Sequence, residues 1–437
     1  MNGDNTIWAD GTSTLEPIVW DDYAKLSSPG LGVEGTNKTS FIGSGETQTF
    51  DLSDFGLTSF DPTTFDTLGV RATSVNGTGA IKWVDVAPEV DQGGEPSIIQ
   101  VTNTPVSELL SDISGDGRFL SWSASNQNDL DVFWTDLNNP TVVKTFSGAA
   151  DSDETQAHIS GDGQLVTLTS IPVANQNQII LWEPPSDSST IVPTTNGTAN
   201  VSQISDDGNH VVFSAQTNTG SAIYDWNPST PSDPAILVSD PTSTFAIKPA
   251  ISGDGSVVVY EDRSFSPNPL ESEVVVRDLT TGVAVIIKPN ELGDTQTRDV
   301  QPSISADGNY VAFASSDTAQ LNGDVFLFDR AANGGNGELT NISLSLPTNG
   351  EEFISRDAIS GEGQFVVFMS TSGGQTDVFV WDRDTGDTAN ITAEIDGLAR
   401  NASISEDGRY IAFEANPDGL QFDIYRAENP LHDDFIM

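Results

Sequence analysis

The sequence predicts an all-β protein: a seven-bladed β-propeller preceded by a small β-sandwich or jelly-roll-like domain. Three observations predict it. The element Ile-Ser-x-[Asp/Glu]-Gly occurs seven times, with its glycines at Gly117, Gly163, Gly208, Gly255, Gly308, Gly363 and Gly408, spaced 46, 45, 47, 53, 55 and 45 residues apart. Each copy runs into two short segments rich in β-branched and aromatic residues, such as "NYVAFAS" and "DVFLFDR". The first 95 residues lack the element altogether. A period of this length carrying strands is the signature of propeller blades or another repeat array.

Within one repeat the elements follow in order. The residues before each Ile supply a short inner strand, as in "DVQPS" and "ARNAS". Asp-Gly then reverses the chain, because Gly accepts a positive φ that other residues resist and the Asp and preceding Ser can bond the turn's own N–H groups. An alternating apolar run forms the second strand, "DVFVWDR"-like runs the third, and segments such as "VAVIIKP" or "ELTNISL" the outer edge. Four antiparallel strands per unit make a blade. The last repeat has no outer run of its own, whereas "PSIIQVTN" at 96–103 is similar to the outer run of repeat four; it is expected to complete the final blade and close the ring. The domains expected are therefore 1–95 and 96–437.

The full pattern, Ile-Ser-x-Asp-Gly-x-x-[Val/Ile]-x-Phe followed by Asp-[Val/Ile]-[Phe/Tyr]-[Val/Leu]-x-Asp-[Arg/Leu]-x-x-Gly, resembles the propeller repeats of the TolB-like family over about residues 96–437. It departs from WD-type repeats: the Gly-His element is missing, and within 96–437 Trp381-Asp382 is the single Trp-Asp pair. The α/β N-terminal domain of TolB is also missing, so the resemblance implies the fold and not TolB's periplasmic role. Proteins with such repeats include transport-associated scaffolds, secreted multidomain proteins and, more distantly, propeller-fold peptidases and polysaccharide lyases.

Charge narrows the partners. There are 64 acidic and 17 basic residues, a formal net charge of -47. The first 95 residues hold 15 acids and 4 bases, so the acidity is general. Such a field repels nucleic acid and anionic lipid, favours solubility and attracts cations. No apolar run approaches a bilayer-spanning length, so neither nucleic acid nor membrane insertion is expected. Zero cysteines exclude disulfides, thiolate metal sites and cysteine nucleophiles. The Asp/Asn/Thr/Gly-rich, lysine-poor composition suggests an extracellular, cell-surface or virion protein, although "MNGDNTIWADG" has neither the basic start nor the apolar core of a Sec-type signal. The seven Asn-x-Ser/Thr sequons, from Asn37 to Asn401, are read as a by-product of composition.

Catalytic machinery is hard to assemble from these residues. Only His158, His210 and His432 offer an imidazole, and no Gly-x-Ser-x-Gly elbow or phosphate-binding Gly-Lys-Ser/Thr loop occurs. Trp8, Trp20 and Trp83 in the first domain suit core packing better than sugar stacking. One set of residues does stand out: His158, Lys248, Arg298, Arg356 and Arg400 precede the repeated Ile and so fall on inner strands near the axis. They could bind a carboxylate or sulfate at a channel mouth, or neutralise acids such as Asp299 and Asp357. No cofactor is indicated; calcium is the one an acidic exterior chain would take, and the seven turn carboxylates suit turns better than calcium cages. The expectation is a non-catalytic binding or assembly module with a protein or glycan partner, self-assembling through its N-terminal domain. The rivals are a structural subunit of a virion or surface appendage and a polysaccharide lyase-like enzyme acting at the channel mouth.

Overall fold

The structure is a computed structural model, and it describes residues 68–72 and 81–86 and most of 97–432. The chain separates into two compact units, Met1–Gly94 and Glu95–Ile436. In the first, two strands, Leu68–Ala72 and Ile81–Val86, pair antiparallel. The rest of the expected sandwich, with Trp8 and Trp20, lies outside the described residues, as does the Trp83 side chain. No helix of the described residues is long and apolar enough to cross a membrane.

The second unit is a seven-bladed propeller of four-stranded antiparallel sheets. Counting from the first repeat, the inner strands are Glu108–Ile113, Asp153–Ile159, Ala199–Ile204, Ala246–Ile251, Thr297–Ile304, Glu351–Phe353 and Ala399–Ile404. The seventh blade takes its outer strand from Ile98–Gln100, paired antiparallel with Asp423–Glu428 in the register Ile98↔Ala427 and Gln100↔Tyr425. Thr102 extends the seam: its hydroxyl accepts the Ile424 N–H at 2.8 Å.

The recurring turn is built from its own polar groups. In the first blade the Asp116 carboxylate accepts the Ser114 hydroxyl at 2.7 Å and the Arg118 N–H at 3.0 Å, while the Ser114 oxygen accepts the Phe119 N–H at 2.9 Å. The same three bonds recur around Asp162, Asp207, Asp254, Asp307 and Asp407. These carboxylates are therefore committed to holding their loops, which is why Ser and Asp travel with the Gly.

That Gly has a second role. In every blade the side chain two residues beyond it lies over the Gly of the next blade: Phe119 over Gly163, His210 over Gly255, and finally Tyr410 over Gly117. At Gly117 φ is +70° and a Cβ would overlap the Tyr410 ring, so both backbone freedom and bare surface are needed where the last blade meets the first. Neighbouring turns are also stitched by backbone bonds, closing with Asp407 N–H to the Gly115 carbonyl at 3.2 Å. The apolar cores lie between adjacent blades, for example Phe365, Phe368, Trp381, Ile404 and Phe413 between the sixth and seventh.

The candidate axial site

Six of the seven inner strands are bulged. One residue sits at positive φ three positions before the repeated Ile: Leu110, Gln156, Val201, Lys248, Gln301 and Asn401 in six blades. In the sixth blade the irregularity falls one residue later, at Asp357 (φ 52°), after a strand that ends at Phe353. The shift puts an acid on the axis, opposite the second and third blades.

There Asp357 meets His158. Asp357 Oδ2 is 2.7 Å from His158 Nδ1, and Asp112 Oδ2 is 3.4 Å from the same nitrogen. Gln203 donates its amide N–H to Asp357 Oδ1, while Gln203 Oε1 accepts the Ile251 N–H at 2.7 Å. Asp112 accepts the Ile113 and Ile159 N–H groups at 2.9 and 3.0 Å. Asp112, His158 and Gln203 all stand immediately before the repeated Ile of blades one, two and three; blades four to seven have Ala250, Ser303, Ala358 and Ser403 there.

Electrostatics follow from this crowding. Burial and the Arg356 charge oppose protonation of His158, which is 2% exposed, but Asp357 and Asp112 outweigh them and raise its pKa. Burial would raise Asp357 too, but His158, Arg356 and Gln203 hold it below the usual carboxylate range. Asp112 is raised by burial and by the Asp357 charge.

A second acidic layer lies on the turn side of the axis. The position after Ile-Ser reads Gly115, Gly161, Asp206, Gly253, Ala306, Gly361 and Glu406 around the ring. Asp206 and Glu406 bond to each other across the mouth, and a Cβ at Gly115, Gly161 or Gly253 would overlap one of their side chains. Burial and then the Glu406 charge push Asp206 up to about 8, so the pair shares a proton at neutral pH. Between the two layers lies a chamber of about 50 Å³ whose wall includes all seven repeated isoleucines. A second cavity, of about 60 Å³, lies on the strand-start side beside Ser111, His158 and Arg356.

Of the five residues singled out in the sequence, the fold brings His158 and Arg356 to this second cavity. Lys248 and Arg400 turn instead to glutamates on the second strands of their own blades. Lys248 Nζ is 3.3 Å from the buried Glu261, which also binds Arg263 at 2.6 Å. Arg400 Nε is 2.8 Å from the buried Glu414, and its guanidinium lies 3.7 Å over the Phe422 ring. Arg298 is on an inner strand opposite Ser316, its side chain outside the described residues. His210 covers Gly255 and bonds Asp225 at 2.9 Å, away from the axis. Asp112, Gln203, Asp206 and Glu406 were not singled out; aligning the repeats column by column is the signal that finds them.

No family model matches the chain, and no curated protein matches it either. Solved structures do. An oligogalacturonate lyase from Vibrio parahaemolyticus superposes with a TM-score of 0.55 at 10% identity, covering 83% of this chain and 96% of that one. An oligogalacturonate lyase in complex with manganese gives 0.56 at 10% identity over 84% and 97%. The propeller domain of the Trilobed protease from Pyrococcus furiosus gives 0.53 at 11% identity over 76% and 98%. The likeness is one of fold. In chemistry, the axis of this chain can hold a proton between carboxylates, or a metal ion: Asp112, His158 and Asp357 offer three donor atoms within 4.8 Å of one another.

Proposed function

We propose that this protein is a non-catalytic recognition and assembly module working outside the cytoplasm, at a cell surface, on a virion or in the medium. A rigid ring presents its loops to a protein or glycan partner, and the unit formed by 1–95 serves self-assembly. The observation that carries this reading is the narrowness of the axis, which the Asp112/His158/Asp357 group and the Asp206/Glu406 pair occupy. Two cavities along it measure about 50 and 60 Å³, whereas pockets that enclose small-molecule ligands measure about 300–1,000 Å³. With so little room at the axis, recognition falls to the faces and rim, where loops on a rigid scaffold commonly act. Calcium, if used, serves this surface: six of the seven turn carboxylates are engaged in their turns.

The second reading, a polysaccharide lyase, is favoured by one feature, the metal-capable Asp112/His158/Asp357 group at the channel. A glycan array containing uronates and sulfated sugars, probed with and without calcium and retested for product release, separates the two. Binding without release supports the recognition module; binding with release supports the lyase; no binding at all removes the glycan partner and leaves proteins. For any acidic-sugar hit, charge reversal at Arg356 and Arg400 tests the anion site: unchanged affinity overturns it.

A further inference from the structure

We propose that Asp112, His158 and Asp357 bind one first-row divalent cation of the Mn²⁺ or Zn²⁺ type, an inference independent of the recognition reading. The donor spacings fit. Two ligands about 2.1 Å from one small metal ion lie about 3.0 Å apart at octahedral angles and about 3.4 Å apart at tetrahedral ones. His158 Nδ1 stands 2.7 and 3.4 Å from the two carboxylate oxygens. An imidazole with two carboxylates suits Mn²⁺ or Zn²⁺; Ca²⁺ seeks six to eight oxygens, which this site lacks.

The supporting bonds are those of a built site. Gln203 holds one oxygen of Asp357 and is itself held by the Ile251 N–H, while two backbone N–H groups hold Asp112. Such outer bonds fix the orientation of metal-binding carboxylates. An independent sign of a missing occupant comes from the adjoining cavity. Among the described residues, Ser111 Oγ and His158 Nε2 have no hydrogen-bond partner, and their residues are only 7% and 2% exposed. Both residues line the cavity of about 60 Å³, as do Asp112 and Asp357. Buried polar atoms seldom go unpartnered, and the volume accommodates the water ligands a three-donor metal retains. The two aspartates balance the two charges of the ion, and Arg356 opposes it as a like charge. The cation takes the place of the proton on His158 Nδ1, which passes to solvent.

The test uses the full chain, stripped with a chelator and titrated calorimetrically with MnCl2, ZnCl2 and CaCl2 at neutral pH. One Mn²⁺ or Zn²⁺ per chain is expected, with a higher unfolding midpoint, and at least about tenfold weaker binding in His158→Gln and Asp357→Asn. The surface variant Glu183→Gln should bind as the parent does. Because the axial variants can lose their fold, an anomalous difference map from manganese-soaked crystals of the unmodified protein reads the position directly. A peak among the three donor atoms upholds the site. No binding, a peak elsewhere, or Ca²⁺ binding as tight as Mn²⁺ overturns it.

Discussion

Asp357, in the sixth blade, and His158, in the second, meet across the propeller axis with 2.7 Å between Oδ2 and Nδ1. A contact between distant blades ties opposite sides of the ring through side chains alone. Asp357→Asn would leave His158 and Arg356 with one acidic partner fewer in a buried setting. Breaking one partner of a buried pair costs about 3–5 kcal/mol, so urea unfolding should show a loss of that order. His158→Gln combined with Asp357→Asn should cost less than the two single changes together, because the double variant strands neither charge.

Ring closure at the first and last blades gives a sharper contrast. Gly117→Ala combines a left-handed φ with overlap against the Tyr410 ring, whereas Gly282 (φ +73°) has nothing within 4 Å of its would-be Cβ. Gly282→Ala should cost only the conformational penalty of about 1–2 kcal/mol. Gly117→Ala should cost clearly more and expose the seam to protease. Equal denaturation midpoints for the two variants would refute the packing role of Gly117.

The strand from Ile98 to Gln100 is held partly through Thr102, whose hydroxyl accepts a buried N–H from Ile424. Thr102→Val keeps the shape and removes the acceptor. An unsatisfied buried donor costs about 1–3 kcal/mol, and hydrogen exchange at Ile424 should quicken selectively. Unchanged exchange there would show that the seam is held by other bonds.

Stability should fall as the pH rises from the ordinary carboxylate range to neutrality. Burial, chiefly, raises Glu108 and Glu352 to about 7, against the partial relief of Thr104 and Ser370. A carboxyl raised in the folded state holds a proton that the unfolded chain has released. The resulting cost is absent below the ordinary carboxylate range, grows as pH rises through it, and is complete above about 7. The unfolding temperature should therefore be higher at mildly acidic pH than at pH about 8, and Glu352→Gln should flatten the slope. A profile that rises into the alkaline range contradicts the assignment.

The ring was legible in the sequence because its governing chemistry repeats: Ser, Asp and Gly recur together wherever a turn must bond its own backbone. The facing of side chains across the axis was less so. His158 and Arg356 read as axial residues and share a cavity, while Lys248 and Arg400 occupy similar strand positions and turn to Glu261 and Glu414. Spacing sets His158 apart, immediately before its repeated Ile, but does not separate Arg356 from Lys248, both three residues before theirs, because that difference depends on second-strand acids in the same blade. The role of Asp357 rests on a left-handed backbone position displaced by one residue, an irregularity that a repeat pattern conceals. The turn-side acids Asp206 and Glu406 were visible only as two exceptions in a column of glycine and alanine.

The most direct test of the account incubates the manganese-loaded protein with oligogalacturonate and follows the unsaturated products of β-elimination. A narrow axis with cavities of about 50 and 60 Å³ predicts none. Metal-dependent product formation, abolished by His158→Gln in a folded variant, would contradict the non-catalytic reading and make the axis an active site.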